Sequence, residues 1–193
     1  MNSVGINELK AEGLGFVSGT ANQKSKTILE GKVKIVEKQK LPQWMVDSYL
    51  NGEYTTYETT SDVVLYRAYG MGYNEGSGAT KEGAFATTEY SESRLDVKIR
   101  LALKPSWKNT RLVEEKIVVP PRQIISVGIV APVVLETGTV LKGGAEQVLL
   151  PQNWPQSWVV GYREITSKPL QTYPEFYLNR RLIKSISPKI MMI

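Results

Sequence analysis

The sequence contains no cysteine and no histidine in its 193 residues. The absence of cysteine excludes disulfide bridges and thiolate chemistry. The absence of histidine excludes every mechanism that needs an imidazole as a base or metal ligand. The missing histidine therefore excludes serine hydrolases, nucleases with a catalytic histidine and most zinc enzymes. We expect no metal site.

Long apolar runs are also missing. No stretch reaches the roughly 18 apolar residues of a transmembrane helix, so the sequence predicts no stable insertion into a membrane. Met1 to Lys10 shows no basic region followed by an apolar core, so no cleavable signal is expected.

The residues that are present fit one folded domain. Hydrophobic residues make up 41% of the chain, which is enough to bury a core. The 10 tyrosines and 4 tryptophans suit strands and a ligand cleft. The net charge of +5 fits either an ordinary soluble basic surface or attraction to an anionic ligand or an acidic partner.

Composition and patterning divide the chain into an N-terminal connecting segment at 1–41, a domain at 42–166 and a C-terminal extension at 167–193. Within the first segment, the alternation in Thr27 to Glu37 predicts a strand. The domain is expected to begin with a helix whose first turn contains Pro42. That helix would be stopped by Gly52 and would carry on one face Trp44, Met45, Ser48 and Tyr49.

The centre of the chain is rich in strand patterns. We predict strands at 63–69, 84–88, 111–119, 123–130, 146–150 and 158–164. One helix is expected at 91–104, ended by Pro105, with its apolar face formed by Leu95, Ile99, Ala102 and Leu103. These patterns predict a strand-rich α+β fold with few helices.

Three segments carry polar side chains at strand ends. The segment 65–70 is an apolar strand with a single arginine, Arg67. The segment 83–88 combines a glycine, Phe85 and a pair of threonines. The segment 143–151 reads Gly-Gly-Ala-Glu-Gln-Val-Leu-Leu-Pro, a glycine turn that runs into a buried strand. In this order the segments resemble the ADP-ribosyltransferase superfamily, which binds NAD. At the position of the family's catalytic glutamate, this sequence has Gln147.

The resemblance implies a strongly bent core of two sheets with NAD+ or NADP+ bound as substrate in the cleft between them, and no permanently bound cofactor. Arg67, Thr87 and Gln147 would be the catalytic residues. Arg67 would grip the pyrophosphate or a ribose, and Gln147 would orient the ribose. The remaining predicted binding residues are Tyr66, Tyr69, Tyr73, Phe85, Thr88 and Glu146.

Each of these residues also has an ordinary structural explanation. An arginine in a strand usually points to solvent or pairs with a carboxylate, and threonine is a common strand residue. Glu146 and Gln147 could be polar residues at a strand end. Because side chains alternate along a strand, these two should face opposite ways, and we expect Gln147 to face the cleft.

The stretch from Tyr66 to Pro151 also resembles NAD-degrading domains at the C-termini of bacterial polymorphic and contact-dependent toxins, such as the tuberculosis necrotizing toxin. That toxin uses a histidine, which this chain lacks. The resemblance implies secretion by a bacterium, action in the cytosol of a target cell, and a cognate immunity protein that covers the cleft.

The sequence therefore predicts an NAD(P)+ glycohydrolase toxin, since an amide is a poor base for activating a protein nucleophile whereas water needs less activation. An ADP-ribosyltransferase acting on a protein or nucleic acid is the alternative. A ribonuclease toxin or a non-catalytic binding module is the second alternative. We expect no nucleic-acid partner, because the strands show no RNA-reading aromatic motif and there is no histidine pair for cleavage.

Overall fold

The computed structural model describes residues 27–70, 83–107 and 109–168, together with the backbone of a short strand at 177–178. The helices and strands in these ranges follow one another as β1 (Val33–Ile35), α1 (Gln43–Val46), β2 (Tyr49–Thr59), β3 (Val63–Tyr69), β4 (Phe85–Thr87), α2 (Arg94–Arg100), β5 (Val113–Val119), β6 (Ile124–Val130), β7 (Val133–Val134), β8 (Val140–Leu141), β9 (Glu146–Leu149), β10 (Val159–Glu164) and β11 (Tyr177–Leu178). Single 3-10 turns lie at Pro105–Trp107 and Gln156–Trp158.

The strands form a 9-stranded sheet in the order β1-β2-β6-β9-β4-β3-β5-β10-β11 and a separate pair, β7-β8. The neighbouring strands all pair antiparallel. The predicted strand-rich α+β fold with few helices is confirmed. Nine strands form one continuous sheet and the second sheet is only the pair β7-β8, and the bent ADP-ribosyltransferase-like core remains a proposal.

The long sheet is nearly divided in its middle. β3 pairs with β4 through one residue pair, Tyr66 with Thr87, whereas β3 pairs with β5 along its whole length from Val63 to Tyr69. The two parts of the sheet are therefore free to diverge on either side of that pair. This narrow junction is where the three predicted segments meet.

One apolar core joins the two parts of the sheet. Leu65 of β3, Ile117 of β5, Ile125 of β6 and Val148 of β9 are fully buried and belong to the same cluster. Leu29 and Trp154 also belong to that cluster from outside these strands. Removing this apolar surface from water provides the main stabilisation of the sheet.

The first predicted helix is much shorter than expected. α1 ends at Val46, and the chain enters β2 at Tyr49 instead of continuing as a helix to Gly52. Asn51 and Gly52 both adopt positive φ, at 56° and 69°, where the pairing of β2 with β6 is irregular. Asn and Gly tolerate this left-handed backbone, so the pair forms a bulge within a strand rather than a helix stop.

The second helix is also shorter than the predicted 91–104. It begins after Ser93, whose side chain accepts a hydrogen bond from the backbone N–H of Asp96 at 3.2 Å. Val97 is the buried helical residue, while Leu95, which we predicted on the apolar face, is 61% exposed. The helix therefore spans Arg94–Arg100, and Ser93 rather than a residue at the predicted start caps it.

The two edge strands of the long sheet come from outside 42–166. β1 pairs with β2, β11 pairs with β10, and within 27–37 only Val33–Ile35 is a strand. The division at 41/42 and 166/167 stays a prediction. No helix in the described ranges has both the length and the apolar character needed to cross a membrane.

Candidate functional site

Three of the predicted site residues form a row across the sheet. Tyr66 of β3 pairs with Thr87 of β4, Thr87 pairs with Gln147 of β9, and Gln147 pairs with Gly128 of β6. Directly paired residues on neighbouring strands share a face of the sheet. The register therefore places the side chains of Tyr66, Thr87 and Gln147 side by side at the narrow junction.

A cleft of about 370 Å³ lies over this row. Apart from the three residues of the row, its polar and charged lining consists of Asp47, Ser48, Arg67 and Asn109. Most of the remaining wall is apolar. Ligand sites commonly combine such a wall with a few placed polar groups, and this volume suits part of a dinucleotide or a compactly folded one.

Gln147 is held in place by α1 and the residues that follow it. Its side chain is buried, and Nε2 donates to Ser48 Oγ at 2.9 Å. Ser48 Oγ in turn donates to the carbonyl of Met45 at 2.6 Å. One N–H of the amide is thus committed to Ser48, and the hydrogen-bond acceptor that Gln147 can offer a ligand is its carbonyl oxygen.

Tyr49 supports Gln147 from the side. Burial raises the pKa of the Tyr49 hydroxyl, and a side-chain hydrogen bond with Gln147 opposes that rise. The ring lies over Gly128, where a Cβ would come within 2.6 Å of the Tyr49 ring. Gly128 is therefore needed for the tyrosine to reach the row, a close approach that only glycine allows.

Thr87 holds the turn that follows β4. Its hydroxyl donates to the carbonyl of Glu89 at 2.7 Å. The neighbouring Tyr66 packs edge-on against Tyr90, with ring centroids 6.1 Å apart, and its burial raises the pKa of its hydroxyl. Phe85 also lines the cleft and packs edge-on against Tyr49 at 6.4 Å.

Arg67 lies on the opposite face of β3 from Tyr66 but still reaches the cleft wall. It pairs in register with Glu115, and its Nη1 donates to the carbonyl of Phe85 at 2.6 Å. The guanidinium thus fills the gap where β3 and β4 separate. Burial lowers the pKa of Arg67 to about 10 and the charge of Glu115 opposes this, so the side chain stays cationic at neutral pH.

Tyr69 belongs to the Arg67 side of the sheet and is not among the residues that line the cleft. Its hydroxyl donates to Glu115 Oε1 at 3.3 Å. Burial, followed by the nearby charge of Glu115, raises the pKa of Tyr69. In this structure Tyr69 supports Glu115, which in turn faces Arg67.

Thr88 and Glu146 also lie outside the cleft lining. Glu146 is the strand neighbour of Gln147 and therefore faces the other side of the sheet, whereas Thr88 lies in the bend that follows β4. Among the described residues, Thr88 Oγ1 and Glu146 Oε2 are buried polar atoms without a hydrogen-bond partner. Tyr73 falls outside the described residues.

Gly83 leaves the space that the Arg67 guanidinium occupies. A Cβ on residue 83 would overlap the guanidinium. We expect Gly83→Ala to displace Arg67 from the Phe85 carbonyl and to destabilise the fold by about 1–3 kcal/mol in urea denaturation. In an Arg67→Met background the added methyl should cost much less. An equal cost in both backgrounds would contradict the close contact.

On the same face of the sheet as Tyr66, a buried ion pair holds the loop between β4 and α2. Glu114 Oε2 accepts from Arg163 Nε at 2.9 Å and from Nη2 at 2.7 Å. Glu114 Oε1 accepts from the backbone N–H of Ser91 at 2.8 Å and from its hydroxyl. Burial raises the pKa of Glu114, while Arg163 and Ser91 oppose that rise. The pair fixes Ser91 and therefore the turn beside Thr87.

Several cleft residues were not predicted from the sequence. They are Trp44, Asp47, Ser48, Trp107 and Asn109. We placed Trp44 and Ser48 on a helix face, but the bond from Gln147 to Ser48 depends on long-range packing that local patterns do not show. Among the described residues, no group of three or more acidic side chains could hold a metal ion.

Neither a protein-family model nor a curated protein sequence matches this chain. Among solved structures, the chain is similar to the structure of Tne2 in complex with Tni2, with 18% sequence identity and a TM-score of 0.48. The similarity covers 62% of this chain and 99% of that chain.

Proposed function

We propose that the protein cleaves the bond between nicotinamide and ribose in NAD+ or NADP+ and transfers the ribose carbon to water. One observation carries the proposal: Gln147, Thr87 and Tyr66 lie in register on the face covered by the cleft. These residues belong to the three segments that resemble the NAD-binding segments of ADP-ribosyltransferases.

The reaction needs little acid catalysis. The C1–N bond breaks with its electron pair moving to the nicotinamide nitrogen, so nicotinamide leaves as a neutral molecule. The ribose becomes oxocarbenium-like in the transition state, as in glycoside hydrolysis. The oxygen of water then bonds to C1, and water loses a proton to solvent.

Gln147 can contribute an uncharged hydrogen-bond acceptor. Its carbonyl oxygen would accept a hydrogen bond from a ribose hydroxyl, and the fixed dipole would favour the developing positive charge. The bond from Nε2 to Ser48 means that this oxygen is already oriented before substrate binds. Phe85 and Tyr66 would give the nicotinamide ring apolar contact.

The amide favours hydrolysis over transfer. A glutamate at this position could deprotonate a protein nucleophile, whereas an amide cannot accept a proton near neutral pH. The lining carboxylate is Asp47, an exposed residue on a different element from Gln147. Water is small enough to attack the cation without a positioned base, so the described lining suits a hydrolase better than a transferase.

Toxicity forms part of the same proposal and rests on the resemblance to NAD-degrading toxin domains. The chain would be secreted by a bacterium and would deplete NAD(P)+ in the cytosol of a target cell. A cognate immunity protein would cover the cleft, and an acidic one would associate faster with a chain of net charge +5.

The proposal is tested by incubating the purified protein with NAD+ and with NADP+, alone, with a cell lysate as acceptor, and with RNA. We expect nicotinamide and ADP-ribose (or its 2′-phosphate) to form without an acceptor. Nicotinamide release that requires the lysate would indicate a transferase instead. Intact dinucleotides together with degraded RNA would indicate a ribonuclease.

A further inference from the structure

Two of the four tryptophans stand exposed at the cleft. Trp44 in α1 is 63% exposed, Trp107 in the turn Pro105–Trp107 is 47% exposed, and both line the cleft. Trp154 and Trp158 instead stack on each other at the core, with ring centroids 6.3 Å apart. An exposed indole leaves a large apolar area in water, and a pair of them at a concave site marks a binding surface.

The two tryptophans are more exposed than the row residues of the same cleft. Gln147 and Thr87 are buried in the sheet, whereas both indoles are largely open to solvent. α1 links the indoles to the row, because Trp44 lies in this helix and Ser48, just after it, receives the Gln147 hydrogen bond. A ligand with its reacting end at Gln147 would therefore extend its other end toward the indoles.

A positive charge lies over the ring of one of the indoles. Lys104 Nζ is 5.6 Å from the ring centroid of Trp107. A purine nucleotide carries its phosphate a short distance from the base, so a ring stacked on an indole would place that phosphate within reach of a neighbouring ammonium. An aromatic surface with a neighbouring cation therefore suits a purine base with its phosphate better than it suits a purely apolar side chain.

We propose that Trp44 and Trp107 form the binding site for the adenine ring of the dinucleotide. The inference rests on the proposed function, since it assigns the second end of the same substrate. The indoles stack on the purine, and Lys104 contacts the adjoining phosphate. The adenine ring keeps its charge and geometry while the C1–N bond breaks, so we expect this contact to bind substrate and transition state alike.

The test uses AMP as a probe of the adenine end and ribose 5-phosphate as a probe that lacks the purine. Binding is measured by calorimetry for the wild type, Trp44→Ala, Trp107→Ala and the double variant. We expect AMP affinity to fall about tenfold or more in at least one single variant, and further in the double variant. Ribose 5-phosphate should bind all four proteins alike.

Kinetics with NAD+ provide a second readout. The same variants should raise KM while leaving kcat nearly unchanged, which is the pattern of uniform binding. Leu95→Ala is the matched control, because Leu95 is as exposed as Trp44 but does not line the cleft. It should leave both AMP affinity and KM unchanged.

The outcomes separate this inference from the proposed function. If the wild type consumes NAD+ but the double variant keeps its AMP affinity and KM, the adenine site is overturned and the activity stands. If neither the wild type nor any variant consumes NAD+ but AMP affinity depends on the tryptophans, the proposed activity is overturned and the purine site stands. A wild type that does not bind AMP would also overturn the adenine site.

Discussion

Gln147→Ala should lower the rate of NAD+ consumption by a factor of about 10²–10³, the usual cost of losing one preorganised group that stabilises charge in a transition state. The truncation removes the carbonyl oxygen that would hold a ribose hydroxyl as the ring becomes cationic. The effect should appear mainly in kcat, because the interaction strengthens in the transition state. The measurement is the initial rate of nicotinamide release, made after the circular dichroism of each variant has been matched to the wild type.

Glu146 offers the control for that experiment. It is the strand neighbour of Gln147, faces the other side of the sheet and does not line the cleft. Glu146→Ala should therefore keep most of the activity. Gln147→Glu should remain active and could add transfer to protein, since it restores the carboxylate found in the transferases. If Glu146→Ala loses NAD+ consumption while Gln147→Ala keeps it, the catalytic role belongs to Glu146 instead.

Breaking the buried ion pair should cost the fold about 3–5 kcal/mol, the typical penalty for leaving one buried charge without its partner. Glu114 is 1% exposed and Arg163 is 3% exposed, so water cannot replace a missing partner. We expect this loss for Arg163→Met, which keeps the length of the side chain but removes all its donors. Urea denaturation measures the free energy of unfolding.

A double variant tests whether the cost comes from an unpaired buried charge. Glu114→Leu combined with Arg163→Met removes both charges and should recover part of the stability lost in either single variant, because no charge then stays buried alone. The backbone N–H of Ser91 would still lose its acceptor, so the recovery should be incomplete. Single variants within about 1 kcal/mol of the wild type would contradict a structural role for the pair.

Local patterns were enough to predict the central strands. β3 spans Val63–Tyr69 as expected, and the predicted strands at 111–119, 123–130 and 158–164 were displaced at their ends by two residues or fewer. Their buried apolar residues include Val63, Ile117 and Ile125 of the main core cluster, so the alternation in the sequence predicted which residues are buried. β2 was missed because Asn51-Gly52 has the composition of a helix stop, while its role as a bulge depends on the partner strand.

The arrangement of the site depended on information that local patterns lack. The row of Tyr66, Thr87 and Gln147 is set by the register between strands far apart in sequence. Strand alternation placed Glu146 and Gln147 on opposite faces, but it could not show that Arg67 fills the gap between β3 and β4 from the far face. The ion pair of Glu114 and Arg163 likewise joins strands that only the folded sheet brings together.

The proposed activity is hydrolysis of the nicotinamide–ribose bond in this cleft without a macromolecular acceptor. The most direct test is chromatographic quantification of products from NAD+ and the purified chain alone. We expect nicotinamide and ADP-ribose in equal amounts, each far exceeding the amount of protein, and a strong reduction of both products in Gln147→Ala. Unchanged NAD+ after prolonged incubation with folded protein, with NADP+ also unchanged, would contradict it.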